Sequence, residues 1–382
     1  ENALSKNRYN GINVVNLWVA AECRGFTSPV WASYKQWAEL GAQVRKGAKS
    51  ELVIFYKEFD VEPSADDSDD DGKRRVARAS HVFNAADVDG FALPDAAEPP
   101  GPVPVVKTGL NEFEKERDAV VWLGHSSSFM RLGGKTILID PVFSAYASPV
   151  FFSTRAFAGT NLYTAGDMPD IDYLLISHDH WDHLDYDTVM ALRPKTGKVV
   201  TGLGVGEHFA RWGFPREMVH EMDWDSAVNL DDGLTIHFLT ARHFSGRWLT
   251  RNKSLWGAFA LETPSRRVFF SGDSGYGGHF AKIGERFGGF DLALLDSGQY
   301  SEDWPYVHMM PEQAAQAAID LRARAALPSH TGKFSISYHS WDEPFQRFTK
   351  ASLDKPYRTV TPKIGEAVSL ADEKQTFSRW WE

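Results

Sequence analysis

The heptapeptide Ser177-His178-Asp179-His180-Trp181-Asp182-His183 directly follows the apolar stretch Ile171-Asp172-Tyr173-Leu174-Leu175-Ile176. The apolar stretch has the composition of a buried β-strand, so the heptapeptide is predicted to form the loop just past a strand end. Neutral imidazole and carboxylate are the ligands expected for Zn²⁺, and this histidine loop offers His178, His180, Asp182 and His183. Burying these groups without a cation would be costly, so the loop predicts a metal centre.

Three further candidate ligands lie elsewhere in the chain, and each of them ends a predicted strand. His243 follows residues 236–241, Asp273 follows residues 268–272, and His330 follows residues 325–328. Folds of the α/β class build their sites where strand ends gather along one edge of a sheet. We therefore predict that these three residues join the histidine loop in one metal centre.

The C-terminal part of the chain has the pattern of a layered α/β domain. Short apolar strands recur there, with helical segments such as residues 311–322 between several of them. The predicted strands are residues 119–123, 135–140, 173–177, 198–201, 234–240, 256–261, 267–271 and 291–295. We assign residues 109–382 to this domain.

The N-terminal part has a different pattern. Residues 13–24 and 31–40 are predicted helices, and residues 52–59 and 76–84 are a predicted strand pair around an acidic loop at 60–75. Residues 1–91 therefore form a small α+β domain. Five prolines lie in residues 92–108, and because proline fixes φ and removes a backbone donor, we predict an extended interdomain linker there.

Length, composition and charge limit the classes of protein to which the chain could belong. The chain has 382 residues, a length that suits two domains. No stretch approaches the roughly 18 apolar residues that span a bilayer. Cys23 is the one cysteine, which excludes an internal disulfide and cysteine-rich metal sites. The net charge is −10, although residues 1–59 are mildly basic. We expect a soluble, cytoplasmic protein, and the oligomeric state stays open.

The histidine loop and several other segments resemble the metallo-β-lactamase superfamily. They are most similar to the branch that contains N-acyl-phosphatidylethanolamine phospholipase D, the RomA-like proteins and, more distantly, the UlaG-like lactonases. The segments that carry this resemblance are residues 122–127, 139–143, 177–185, 241–243, 252–257, 271–276 and 308–312. The resemblance implies a four-layer αββα sandwich with two zinc ions, manganese and iron being alternatives.

The resemblance also implies a role for each site residue. One metal would take His178, His180, His243 and a bridging Asp273, and the other would take Asp182, His183, Asp273 and His330. Two such ions can hold a bridging hydroxide as the nucleophile, with Asp182 alternatively acting in part as a proton acceptor. His125 and His308 match non-ligand histidines of the branch, so they either contact the substrate or support the ligands.

A second resemblance covers residues 1–90, where segments 9–13, 31–36 and 40–49 are similar to the N-terminal domain of the antirestriction protein ArdC. That domain binds single-stranded DNA. The candidate DNA-binding residues are Trp31, Tyr34, Lys35, Arg45, Lys46 and Lys49. Basic side chains could follow the phosphates and aromatic rings could stack on bases, unless the rings belong to the core and the lysines are only solvated.

These observations lead to one expected function and three alternatives. We expect a zinc-dependent metallo-hydrolase that acts as a phospholipase D-like phosphodiesterase on a small-molecule or lipid substrate. The first alternative is a nuclease that cleaves single-stranded DNA presented by the N-terminal domain. The others are a lactonase and a non-enzymatic DNA-binding protein.

Overall fold

The computed structural model divides into two compact units, Glu1–Ala96 and Ala97–Glu382, each of which is described by itself. It describes residues 2–5, 9, 11–26, 28, 30–60, 73–91, 98–114, 117–150, 153–231, 233–247, 250–337 and 339–382, without the side chains of residues 22, 57–60 and 73–75. Among these residues, no helix is both long enough and apolar enough to cross a membrane.

The N-terminal unit is a small α+β structure. Its elements are α1 (Ile12–Arg24), β1 (Trp31–Ala32), α2 (Tyr34–Glu39), β2 (Gln43–Val44), β3 (Glu51–Asp60), β4 (Lys73–Asn84) and β5 (Val88–Asp89). One sheet has the order β1-β4-β3, and β2 pairs with β5. All of β3 pairs antiparallel with residues 73–82 of β4, as the predicted strand pair requires. Residues 61–72 of the predicted acidic loop lie outside the described part of the chain.

The second predicted helix, residues 31–40, begins later than its aromatic spacing indicated. Trp31 lies in β1, where it pairs with Asn84. Helix α2 starts after Ser33, whose hydroxyl accepts from the backbone of Gln36 while the Gln36 side chain accepts from the backbone of Ser33. This reciprocal capping box supplies partners for amides that a helix leaves free at its first turn, and it fixes the start of the helix.

The C-terminal unit contains two seven-stranded sheets. The strands of this unit are β6 (Ala119–Trp122), β7 (Ser128–Leu132), β8 (Lys135–Ile139), β9 (Ile171–Ile176), β10 (Thr196–Gly202), β11 (Val219–Met222), β12 (Ser226–Asp231), β13 (Leu234–Leu239), β14 (Gly246–Arg247), β15 (Thr250–Arg251), β16 (Ala258–Glu262), β17 (Arg267–Phe270), β18 (Leu292–Asp296), β19 (Ala325–Ser329), β20 (Arg358–Thr359) and β21 (Ala367–Ser369). The first sheet has the order β11-β10-β9-β8-β7-β6-β21, and the second has the order β12-β13-β16-β17-β18-β19-β20. A separate hairpin is formed by β14 and β15.

Helices cover the outer face of each sheet. They are α3 (Tyr186–Leu192), α4 (Gly206–Arg211), α5 (His279–Phe287), α6 (Pro311–Asp320) and α7 (Glu343–Ala351). Alternate residues of a strand point to opposite faces, so Leu174 and Ile176 of β9 pack with α3 and α4, whereas Tyr173 and Leu175 pack towards the second sheet. Side chains of α5, α6 and α7 pack on the outer face of the second sheet. The layers are therefore αββα, as predicted.

The predicted linker, residues 92–108, is only partly described, because residues 92–97 lie outside the described chain. Its second half is bonded to the C-terminal unit. The backbone of Val103 donates to Ala158 O, and the backbone of Val106 donates to Ile364 O. The side chain of Val103 also belongs to the core between the two sheets. Residues 103–106 are therefore part of the C-terminal unit rather than a free connector.

Candidate metal centre

The candidate ligands follow strands that run in the same direction within each sheet. In the first sheet, β7 is antiparallel to both β6 and β8, and β8 is parallel to β9, so β6, β8 and β9 run in the same direction. In the second sheet, β13, β17, β18 and β19 likewise share one direction. The residues just past these strand ends are His125, Asp140, the histidine loop, His243, Asp273 and His330. Carboxyl ends of such strands meet at one edge, which is the physical basis of the predicted site.

The first cluster consists of His178, His180, His243 and Asp273, whose potential ligand atoms all lie within 4.8 Å of one another. His180 Nδ1 lies 2.9 Å from His178 Nε2 and 3.2 Å from His243 Nε2. His243 Nδ1 donates to the carbonyl of Val307, so its Nε2 presents a lone pair to the cluster. The four residues are those predicted for one metal ion.

The second cluster consists of His125, Asp182, His183 and His330. Asp182 Oδ2 lies 2.9 Å from His125 Nε2 and 3.4 Å from His183 Nε2. Asp273 lies between the two clusters, since its Oδ2 is 3.1 Å from His183 Nε2 and its Oδ1 is 3.1 Å from His330 Nδ1. The seven predicted ligands therefore lie together, and the position of Asp273 fits a bridging carboxylate.

The chemistry of these donors fits metal ions. His183 Nε2 and Asp273 Oδ1 are buried and have no hydrogen-bond partner of acceptable geometry among the described residues, although such groups in a protein interior are nearly always paired. Burial holds the pKa of His178, His243 and His330 well below the ordinary value, so these imidazoles are neutral at pH 7, the form that binds metal.

His183 behaves in the opposite way. Burial lowers the pKa of this imidazole, but the charges of Asp273 and Asp182 outweigh burial and hold the pKa well above the ordinary value. The two carboxylates thus require a positive charge between them. A bound cation would supply that charge in place of the proton.

The two predicted non-ligand histidines differ in their surroundings. His125 is fully buried and bonded to Asp182, which favours support of the ligands over contact with substrate. The ring of His308 lies 5.0 Å from the rings of both His243 and His330, and its Nδ1 is 2.8 Å from Asp296 Oδ2. Burial raises the pKa of Asp296 to about 7, while the nearby carboxylates raise the pKa of His308 despite its burial. His308 and Asp296 therefore keep one proton between them beside the candidate metal centre.

Three polar residues that the sequence analysis did not single out hold the ligand loops. The carboxylate of Asp140 accepts from Ser177 N at 2.7 Å and contacts His183 Nδ1 at 2.8 Å. Asp179 accepts from Gly246 N at 2.7 Å, which ties the histidine loop to the β14–β15 hairpin. Hydrogen bonds of this kind set the orientation of ligands. Asp140 ends a predicted strand, and the same signal that found Asp273 could have found it.

Gln299 is the third of these residues, and it fixes the loop that contains His330. Its amide nitrogen donates to His330 O at 3.3 Å and to Phe334 O at 3.1 Å, and its amide oxygen accepts from Ile336 N at 2.7 Å. Gln299 and His330 both have positive φ, at 55° and 60°, a conformation that is costly for residues other than glycine. Four hydrogen bonds between the two loops, including one from Ser337 N, maintain this conformation.

Lys333 is a buried cation close to this loop. Its ammonium donates to Val142 O at 2.7 Å, its side chain is almost fully buried, and burial lowers its pKa to about 8. In the unfolded chain the pKa is about 10.4, so between these values unfolding takes up a proton and stability rises with pH.

We expect wild-type protein to gain about 2 kcal/mol of stability relative to Lys333→Met between pH 8 and pH 9.5. Urea unfolding of both proteins at several pH values measures this difference, and other titrating groups cancel in the comparison. Below pH 8 the difference should be constant, because lysine is protonated in both states. A difference that is flat up to pH 9.5 would show that the ammonium keeps its proton in the folded protein.

The candidate DNA-binding residues of the N-terminal unit fall into two groups. Trp31 is only 2% exposed and packs in the core, so the prediction that its ring stacks on bases is wrong. Tyr34 is 53% exposed, and Lys35, Lys46 and Lys49 are exposed. Arg45 is bonded to Asp89 at 2.7 Å, which neutralises its charge locally.

Tyr34, Arg45 and Lys46 line one cavity of about 510 Å³ within the N-terminal unit. The side chains that complete its wall are Gln43, Val44, Ala48, Phe83 and Asp89. The cavity thus combines an exposed aromatic ring with the cation of Lys46, while Asp89 offsets the charge of Arg45.

Family models match both parts of the chain. Residues 135–331 match the beta-lactamase superfamily domain, and residues 1–83 match the N-terminal domain of the anti-restriction factor ArdC. The two matches agree with the two resemblances that the sequence motifs indicated.

Curated relatives agree with the same branch. The chain is 36% identical over 290 residues to an uncharacterized protein of Mycobacterium tuberculosis, covering 75% of this chain and 77% of the relative. It is 58% identical over 106 residues to the outer membrane protein RomA of Klebsiella pneumoniae, covering 28% of this chain and 80% of the relative. It is 33% identical over 253 residues to the N-acyl-phosphatidylethanolamine-hydrolyzing phospholipase D 1 of Caenorhabditis elegans, covering 61% of this chain and 69% of the relative.

Proposed function

The chain belongs to the beta-lactamase superfamily, in the branch of RomA and the N-acyl-phosphatidylethanolamine-hydrolyzing phospholipases D, and we propose that it is a zinc-dependent phosphodiesterase. The observation that supports this most strongly is the placement of Asp273 between two ligand clusters. Two metal ions side by side suit displacement at phosphorus, because together they stabilise the attacking and the leaving oxygen.

We assign the first zinc ion to His178, His180, His243 and Asp273, and the second to Asp182, His183, His330 and Asp273. When bound, the metal ions activate water as the nucleophile and polarise a phosphoryl oxygen. His125 and Asp140 act through the ligands, since they bond to Asp182 and to His183.

His308 is the residue we propose as the general acid. Asp296 holds one of its ring nitrogens at 2.8 Å, which leaves the other for a substrate oxygen. The neighbouring carboxylates keep a proton on this ring, and a leaving alkoxide needs that proton. Asp296 is the positioning residue that fixes the tautomer.

Hydrolysis of bis(p-nitrophenyl) phosphate by zinc-loaded protein tests this proposal. We expect turnover of this ester that stops on chelation and returns with zinc. With N-acyl-phosphatidylethanolamine, whose leaving group is an alkoxide rather than a nitrophenolate, we expect a drop in kcat of about 10²-fold or more for His308→Gln. His220→Gln is the matched control, because His220 is half-buried on the strand β11, away from the strand ends of the site. The same screen includes N-acyl-phosphatidylethanolamine, single-stranded DNA and a lactone. Hydrolysis of the lactone without any phosphodiester would contradict the proposal.

Binding of single-stranded nucleic acid is a second candidate function, assigned to the N-terminal unit. It is supported by the 510 Å³ cavity that Tyr34 and Lys46 line and by the match to the ArdC domain. An aromatic ring with cations beside it suits a base and its phosphates. If this unit delivers substrate to the metal centre, the phosphodiesterase is a nuclease.

Fluorescence anisotropy of a labelled single-stranded oligonucleotide tests this second function in the full chain. We expect affinity to fall with salt, and the slope of log K against log salt to decrease by about 0.7 for Lys46→Gln. Lys355→Gln, an exposed lysine of the other unit, should keep the wild-type slope. If the affinity for the oligonucleotide depends neither on salt nor on Lys46, the cavity is excluded as the nucleic-acid site.

A further inference from the structure

Three arginines lie beside the metal-binding segments of the C-terminal unit. Arg242 directly precedes His243, and Arg247 and Arg251 are in the β14–β15 hairpin that follows it. None of the three forms an ion pair with a carboxylate within the described parts of the chain. Elsewhere in the described chain Arg266, Arg267 and Arg347 all do.

Each guanidinium lies over an aromatic ring next to the candidate ligands. Arg247 Cζ lies 3.7 Å from the ring centre of Trp181, within the histidine loop. Arg251 Cζ lies 4.8 Å from the ring of Phe244, and that ring is 4.7 Å from the ring of His180. The ring of Phe244 therefore contacts both Arg251 and His180, a candidate metal ligand.

Arg242 also lies over an aromatic ring. Its Cζ lies 4.7 Å from the ring of Tyr306, two residues before His308, and one of its nitrogens donates to Tyr276 O at 2.6 Å. Arg242, Arg251 and Tyr306 are all exposed. These two guanidinium groups are therefore held at the rim of the site and remain accessible.

Arg247 has a different role from the other two. It is half-buried and donates to the carbonyls of Asp179 at 3.0 Å and Leu184 at 2.6 Å, so its donors hold the backbone of the histidine loop. Arg251 makes no such bond to the described residues, and Arg242 makes only one through its side chain. Because water can solvate an exposed arginine, the absence of a carboxylate partner among the described residues does not by itself indicate an anion-binding role. The contact with a ring restricts where each guanidinium lies, and its N–H groups remain free to bind an anion, which a planar guanidinium can do in bidentate fashion.

We propose that Arg242 and Arg251 bind a second anionic group of the substrate, next to the phosphoryl group at the metal centre. The inference rests on the proposed phosphodiesterase function and narrows its substrate class. A diester with a single negative charge needs only the metal ions. The natural substrate therefore contains a further phosphate-like anion near the scissile bond.

Calorimetric binding of two inert ligands to the zinc-loaded protein tests this inference. Phenylphosphonate has the phosphoryl-like group alone, and 3-sulfophenylphosphonate adds one sulfonate. We expect the sulfonated ligand to bind about tenfold more tightly to wild type, as one charge-assisted contact predicts. In the double variant Arg242→Gln/Arg251→Gln, the two ligands should bind with equal affinity, and the affinity for phenylphosphonate should stay at the wild-type value.

Two further variants separate the specific contact from general charge. Arg324→Gln removes an exposed arginine at the start of β19, the end opposite His330, and should keep the tenfold preference. Arg242→Lys/Arg251→Lys keeps the charge but loses the planar fork, and it should retain only part of the preference.

The outcomes distinguish this inference from the proposed function. Equal binding of both ligands to wild type, or a preference that survives Arg242→Gln/Arg251→Gln, overturns the inference while phosphodiester hydrolysis stands. A preference that depends on the two arginines supports the inference even if bis(p-nitrophenyl) phosphate is not hydrolysed. Failure of both ligands to bind overturns both.

Discussion

Asp273→Asn is expected to lower kcat/KM for bis(p-nitrophenyl) phosphate by about 10³-fold or more, the largest effect of any single substitution. The carboxylate lies between the two clusters, 3.1 Å from both His183 Nε2 and His330 Nδ1. An amide has the same shape but no charge, so it cannot bridge two cations. Metal activation contributes several kcal/mol to a hydrolytic barrier, and each 1.4 kcal/mol is about tenfold in rate.

Asp170→Asn is the matched control for this change. Asp170 is an exposed carboxylate just before β9, at the opposite end of that strand from His178. Steady-state kinetics of both variants and circular dichroism of both folded proteins separate loss of the site from loss of structure. Near-wild-type activity of a folded Asp273→Asn protein would remove Asp273 from the metal centre.

Asp140→Asn is expected to weaken zinc binding about 10- to 100-fold and to destabilise the fold by about 1–3 kcal/mol. Asp140 is fully buried, and its two oxygens receive Ser177 N, Ser177 Oγ and His183 Nδ1. An asparagine can adopt the same positive φ of 44°, but its NH₂ group faces donors and leaves at least one of them unpaired.

Competition with a chromophoric chelator measures the zinc affinity of Asp140→Asn, and urea unfolding of the metal-free protein measures its stability. The two readouts are independent, because stability loss in the metal-free state reports the hydrogen bonds alone. If zinc affinity stays at the wild-type value while the protein is destabilised, Asp140 supports the fold but does not orient His183.

Much of the fold follows from local sequence. Strands with a clear apolar pattern, such as β9 and β13, and the helix α6 lie within a few residues of their predicted bounds. Strand β7 (SFMRL) was not predicted, since all five of its residues are buried, including Arg131, and no alternation marks the strand. Trp31 was assigned to a helix because its spacing to Tyr34 and Trp37 fits a helical face, and the capping box at Ser33 was overlooked.

The clustering of the candidate ligands was predictable from the sequence, but the residues that support them were not. Polar residues past apolar strands are visible in sequence, and this signal located His243, Asp273 and His330. The contact of Asp140 with His183 joins residues 43 positions apart, and that of Ser126 with His330 joins residues 204 apart. Contacts between residues so far apart in the sequence depend on how the two sheets pack. Local residue patterns do not specify that packing.

The metal content of the protein tests the central claim most directly. Wild-type protein reconstituted with zinc and dialysed should contain about two zinc ions per chain by plasma mass spectrometry, and Asp273→Asn should contain fewer. Wild-type protein that retains no metal, or as much metal in Asp273→Asn as in wild type, would contradict the assignment of these seven residues to a dinuclear centre.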